Sequence, residues 1–119
     1  MSAKAAVRHS GKVAIVDLAG RIALGEGSGS IRNAIKDLVE AGYRNILLNL
    51  QEVKYVDSSG LGEMVGAYAT VSNMGGRIRL LNAPSQVEDL LRATRLYSVF
   101  IGFNDEAEAV RSFGSTAGA

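Results

Sequence analysis

The sequence contains no cysteine, which excludes a disulfide framework, a zinc knuckle, a thiol nucleophile and an iron–sulfur cluster. Its single histidine, His9, leaves metal ligation to carboxylates alone. An excess of one charge is also lacking: 13 Lys and Arg stand against 12 Asp and Glu, a formal net charge of +1. So balanced a chain has no field of the size that counterion-release binding draws on, and nucleic acid is not expected as a partner. Uninterrupted apolar runs reach only about four residues, far below the ~20 that span a bilayer. Met1 to Val7 has no apolar stretch of the signal-peptide kind. The expectation is a cytoplasmic protein without membrane insertion. Aromatic residues make up 6% of the chain and are scattered. Arg77 and Arg79 alternate with Ile78 and Leu80 as on a strand with one solvated face, which gives no stacking platform for a single strand.

What is present is the composition of one globular domain: 119 residues, 47% hydrophobic and 21% charged. Val7 to His9, a Ser10-Gly11 turn signal and Val13 to Leu18 (VAIVDL) read as a hairpin. From Ser28 the pattern becomes helical, with Ile31, Ala34, Ile35, Leu38 and Val39 on one face and Gly42 placed to cap the end. Ile46 to Leu50 (ILLNL) is apolar without alternation, the signature of a strand buried on both faces at the centre of a sheet, with Asn45 and Asn49 as polar exceptions. After a loop over Gln51 to Val56, a second helix starts near Ser58. It carries Leu61, Met64, Val65, Tyr68 and Val71 on one stripe and ends at Gly75-Gly76. Arg77 to Asn82 reads as a strand. Ser85-Gln86-Val87-Glu88 behind Pro84 reads as a capping box opening a helix with Val87, Leu90 and Leu91 inward. Val99 to Phe103 is a last strand, Asp105 to Phe113 a last helix, and residues 114–119 a flexible tail. The order ββαβαβαβα predicts an α/β domain over residues 1–113, with about four helices and a mixed, mostly parallel sheet of about five strands whose edge is antiparallel.

In open α/β sheets, sites lie beyond the carboxyl ends of the strands, which selects Gln51 to Gly62. Asp57, Ser58, Ser59, Gly60 and Gly62 stand there at the mouth of a helix whose first N–H groups lack partners. One reading is an N-cap, where Asp and Ser are preferred. The other is a phosphoryl acceptor, because a helix N-terminus favours phosphate through its free N–H groups and dipole. Two hydroxyls and a carboxylate exceed what one helix end needs. Gly60 and Gly62 either relieve packing against the sheet or let a partner approach the backbone, and the same choice holds for Gly62 and Gly66, one turn apart.

Catalytic alternatives lack parts. A serine hydrolase needs a base beside its nucleophile, yet His9 sits on the edge hairpin and no G-x-S-x-G occurs. An aspartyl-phosphate receiver needs an acidic cluster and a late Lys, whereas only Asp17 is available early and no Lys follows Lys54. The run Gly25-Glu26-Gly27-Ser28-Gly29-Ser30 lacks the P-loop Lys and the third glycine of the dinucleotide fingerprint, and reads as flexible entry to a helix. No cofactor, metal or catalytic residue is expected.

The stretch Asn45 to Gly62, NILLNLQEVKYVDSSGLG, resembles the core of the STAS domain family, and in particular its anti-sigma factor antagonists. The likeness continues through Gly75-Gly76, Leu80-Leu81-Asn82, Val87 to Leu91 and Leu96-Tyr97-Ser98-Val99-Phe100. It implies that Ser58 is phosphorylated by a serine kinase that is itself the anti-sigma factor. On the same resemblance the unphosphorylated protein holds that kinase and frees a sigma factor, and a metal-dependent phosphatase removes the phosphate. The loop and second helix, Asp57, Ser58, Ser59, Gly60, Leu61, Gly62, Glu63 and Gly66, form the expected docking surface. After Gly20 the family often has an Asp two or three positions on, where this chain has Arg21-Ile22-Ala23-Leu24-Gly25-Glu26. A scaffold subunit of a stressosome-type or transporter-associated complex is the alternative.

Overall fold

The computed structural model describes residues 4–23 and 30–117. The elements are β1 (Lys4–Ser10), β2 (Val13–Ile22), α1 (Ser30–Glu40), β3 (Asn45–Val56), α2 (Ser58–Asn73), β4 (Arg77–Leu81), α3 (Ser85–Ala93), β5 (Gly102–Phe103) and α4 (Glu106–Ala117). The glycine run 25–29 and residues 118–119 of the expected tail lie outside the described residues. The five strands form one sheet in the order β1-β2-β3-β4-β5. β1 is antiparallel to β2 and all later pairs are parallel. This is the mixed α/β sheet that the element order predicts.

Each crossover steps to the next strand in the same direction, so a constant right hand puts α1, α2 and α3 on one face. There the large core joins Val16, Leu48 and Leu80 of the sheet to Ile35, Met64 and Val87 of the helices. The other face holds a small core of Val13, Ile15, Leu47 and Leu81 under Ala109 and Phe113 of α4. β3 lies in the middle, buried on both faces as its unbroken apolar run requires. Its Asn49 is accommodated because the Nδ2 donates to Asp17 Oδ1 at 2.8 Å. Gly42 ends α1 at φ +100, where its N–H and that of Tyr43 bond back to Val39 and Leu38.

Several expectations need correction. Gln51 to Val56 is strand rather than loop: Val53 and Val56 are buried, and the segment pairs with Ala19 to Ile22 of β2, with one register shift before this pairing and one within it. Its exposed Glu52, Lys54 and Tyr55 hide the strand in a polar-looking sequence. The last strand shrinks to Gly102–Phe103, because Leu96 to Phe100 forms a turn that drives Phe100 into the core, edge-on to Tyr68 at 5.7 Å. On α2, Ala67 faces inward and Val65 is exposed. The capping box is not formed: Pro84 is the N-cap of α3 and makes no side-chain bond. Arg79 does not lie on a solvated face, since α4 covers it and its guanidinium stacks on Phe113 at 4.7 Å. Burial, then the neighbouring Arg77, push the Arg79 pKa down. α4 continues past Phe113 to Ala117, because one glycine costs a helix only about 1 kcal/mol. His9 is exposed on β1 as expected, and its ring also stacks on Tyr43 at 4.7 Å.

Candidate functional site

The candidate site is the turn from β3 into α2, and it begins with a carboxylate that ends one element and starts the next. Asp57 has extended backbone angles (φ −97, ψ −176), and its Oδ1 accepts the Gly60 N–H at 2.8 Å. The helix itself starts with Leu61 N–H donating to the Asp57 carbonyl at 2.8 Å. Asp57 therefore discharges the N-capping duty by itself. Ser58 and Ser59 are both exposed. Neither hydroxyl is taken up in capping, and both stand at the positive end of a 16-residue helix.

The backbone beneath the two serines is fixed from both sides. The Asp57 N–H donates to the Ile22 carbonyl at the end of β2, at 3.3 Å. On the other side, Val56 exchanges two hydrogen bonds with the side chain of Gln86, at 2.8 and 3.0 Å. Gly60 is buried against β2, and a Cβ there would stand 1.8 Å from the Ile22 carbonyl oxygen. Its lack of a side chain is thus a packing requirement. Gly62 and Gly66 differ: both are exposed, and a Cβ at either would meet nothing within 4 Å. They border a groove of about 380 Å³ between α1 and α2, together with Arg32, Lys36 and Thr70.

The remaining expected site residues divide by burial. Leu61 is only 5% exposed and belongs to the core, so with Gly60 it supports the turn from below and presents no surface. Glu63 is mostly buried. Its Oε2 accepts from Arg32 Nη2 at 2.8 Å and its Oε1 is sealed without a partner. Of the expected docking surface, then, Ser58, Ser59, Gly62 and Gly66 face outward. Sequence reading missed Gln86 and the Arg32–Glu63 link between α1 and α2. A glutamine in the first turn of α3 carries no local signal of a bond to a residue 30 positions earlier.

The described residues contain no group of three His, Asp or Glu placed to hold a metal ion, and no helix among them is long and apolar enough to cross a membrane. The turn can present a nucleophilic hydroxyl to another molecule's active site. His9 lies on β1 at the edge of the sheet.

Comparison with known proteins agrees with this architecture. The anti-sigma-B factor antagonist of Bacillus subtilis (strain 168) is 32% identical over 69 residues, 58% of this chain and 62% of that protein. The anti-sigma F factor antagonist of Paenibacillus polymyxa is 29% identical over 66 residues, 56% of each. The match thus spans less than two thirds of these relatives' length. Among solved structures, an anti-sigma factor antagonist from Mycobacterium paratuberculosis superimposes with a TM-score of 0.80 over 93% of both chains, at 18% identity, a likeness of fold alone. Residues 4–109 match the model of the STAS domain, and the chain belongs to that family.

Proposed function

We propose that this protein is an anti-sigma factor antagonist: a binding module, not an enzyme, whose hold on an anti-sigma factor is switched by phosphorylation of Ser58. The supporting observation is an exposed hydroxyl on the first residue of α2, beside an N-cap that is already satisfied by Asp57 and above a backbone pinned on both sides. The names carried by the relatives point the same way. In the proposed cycle the partner is a serine kinase. The Ser58 oxygen attacks the γ-phosphorus of its ATP, the bond to ADP breaks, and a base on the kinase takes the hydroxyl proton. A metal-dependent phosphatase later uses water to release inorganic phosphate and restore the hydroxyl. The whole cycle is placed in the cytoplasm.

Magnitudes favour a switch that acts on the partner more than on the fold. The helix dipole would stabilise the phosphate by roughly 0.3 to 1 kcal/mol. Its two charges near a partner carboxylate at ~6 Å, with an effective ε of ~40, repel by ~3 kcal/mol. That is about a hundredfold in affinity with the molecule's shape unchanged. Ser58, Ser59, Gly62 and Gly66 would face the partner while Asp57, Gly60 and Leu61 hold them. The test is titration of the anti-sigma factor with Ser58→Ala and Ser58→Asp: tight binding by the first is expected, and binding about tenfold weaker by the second, which carries one charge where the phosphate carries two. Equal affinities would overturn the switch. A scaffold role predicts instead that both variants enter the same large assembly, with no dependence on Ser58.

A further inference from the structure

β3 outlasts one of its neighbours. Its pairing with β4 stops at Asn49–Leu81, while its pairing with β2 continues to Val56–Ile22. In a parallel ladder a residue turns its N–H and C=O toward the same side, and the next residue turns them toward the other. Asp57 faces β2, because its N–H reaches the Ile22 carbonyl. Val56 accordingly faces the side from which β4 has gone. An unmet N–H and C=O at that partly buried position would be costly. The Gln86 side chain meets both: its Nε2 donates to the Val56 carbonyl at 2.8 Å and its Oε1 accepts the Val56 N–H at 3.0 Å. One amide group on α3 thus imitates the missing residue of a fourth strand.

We propose that Gln86 is a positioning residue for phosphorylation, clamping the end of β3 so that Ser58 is presented in one orientation. The proposal rests on Ser58 being the acceptor. Ser58 is two positions beyond the clamped residue, and the intervening Asp57 is the N-cap whose backbone angle fixes where α2 begins. Phosphoryl transfer is sensitive to misplacement of the attacking oxygen by about an ångström. Without the clamp, the Val56 groups would turn outward to water and carry Asp57 and Ser58 with them. Glutamine is the residue this task selects, because a donor and an acceptor are needed on one planar group. A glutamate would keep the acceptor and lack the donor until it is protonated.

The test compares amide hydrogen exchange by NMR in the wild-type chain, Gln86→Leu and Gln86→Glu, with no kinase present. In Gln86→Leu the Val56, Gly60 and Leu61 amides should exchange about tenfold faster, while those of Leu48 and Ile35 keep their rates. In Gln86→Glu the same acceleration should appear at neutral pH, and its ratio to wild type should fall back toward one as the pH drops through ~4 and the carboxyl regains a proton. Unchanged rates in the turn, equal acceleration of every amide, or a glutamate effect independent of pH would each overturn the clamp. If Gln86→Leu does not fold, the glutamate series decides. With a kinase that phosphorylates Ser58, Gln86→Leu should lower kcat about tenfold, and an unchanged kcat would overturn the positioning role. Phosphopeptide mapping that finds no phosphate on Ser58 would remove the acceptor reading, and with it the positioning role, and would leave the exchange result standing.

Discussion

The turn into α2 and the cluster of Arg8, Asp17 and Glu106 at the start of α4 both gather polar groups at a margin of the same sheet, and they differ in what satisfies them. In the cluster Arg8, Asp17 and Glu106 find their partners in one another. Arg8 Nε bonds Asp17 Oδ2 at 2.6 Å, Arg8 Nη2 bonds Glu106 Oε1 at 2.7 Å, and Asn49 holds Asp17 from the next strand. These bonds tie β1, β2, β3 and α4 together. In the turn, the backbone is satisfied by Ile22, Gln86 and Asp57, while the Ser58 and Ser59 hydroxyls stay exposed. Internal pairing accounts for the first region as architecture. In the second the backbone is pinned and two hydroxyls are left over, which suits the docking surface proposed for it.

The largest effects should come from the frame of the turn. Gly60→Ala places a methyl 1.8 Å from the Ile22 carbonyl, and backbone rather than a flexible side chain must then move. The expected loss is about 3 kcal/mol or more, larger than ordinary overpacking, measured by urea denaturation. Stability within a few tenths of wild type would mean that the turn is not wedged against β2. Asp57→Ala should cost about 1 kcal/mol through loss of the cap. It should also weaken partner binding, because the first turn of α2 then frays beneath Ser58. Asp57→Asn, which can still cap, should restore most of the stability.

The frame was only partly legible in the sequence. Asp57 announced itself as a cap because the preference for Asp at that place is local chemistry. The helices of α1 and α3 were legible from apolar spacing, and β3 from its unbroken run. Gly60 and Gly62 look alike in the sequence, yet one is held against a carbonyl of β2 and the other faces open space. Only the approach of a distant strand separates them. Gln86 was hidden for the same reason, since its partner lies across the fold and Ser85-x-x-Glu88 offered a more familiar local reading. The outer half of β3 was missed because a strand paired on one side only can expose Lys54 and Tyr55. Arg79 was misplaced because the cover of α4 on that face has no local signature.

The internally satisfied region should answer to pH. Hydrogen bonds from Arg8 hold both the Asp17 and Glu106 carboxyls below the ordinary range. A carboxyl whose folded pKa is depressed contributes fully above its unfolded value near pH ~4, and loses that contribution as the pH falls through the folded value. Arg8→Ala should therefore cost about 1 kcal/mol at pH 7, a modest figure because all three side chains are a third to a half exposed. The difference from wild type should shrink as the pH is lowered below ~4. A gap that stays constant down to acid pH would assign the loss to packing of the Arg8 stem.

The smallest effect on stability carries the most information about the open surface. Gly66→Ala adds a methyl that meets nothing within 4 Å, in the interior of α2. Relief of backbone entropy alone should stabilise the chain by roughly 0.5 to 1 kcal/mol, seen as a higher Tm. A chain that would gain stability from alanine has no folding reason for glycine there. On the proposed docking role the reason lies outside the chain: a partner packed closely into the groove beside Arg32 and Lys36 would meet that methyl. Gly66→Ala should then be more stable and bind the anti-sigma factor several-fold more weakly. A variant both more stable and fully competent in binding would confine docking to Ser58 and its turn and leave the groove unused.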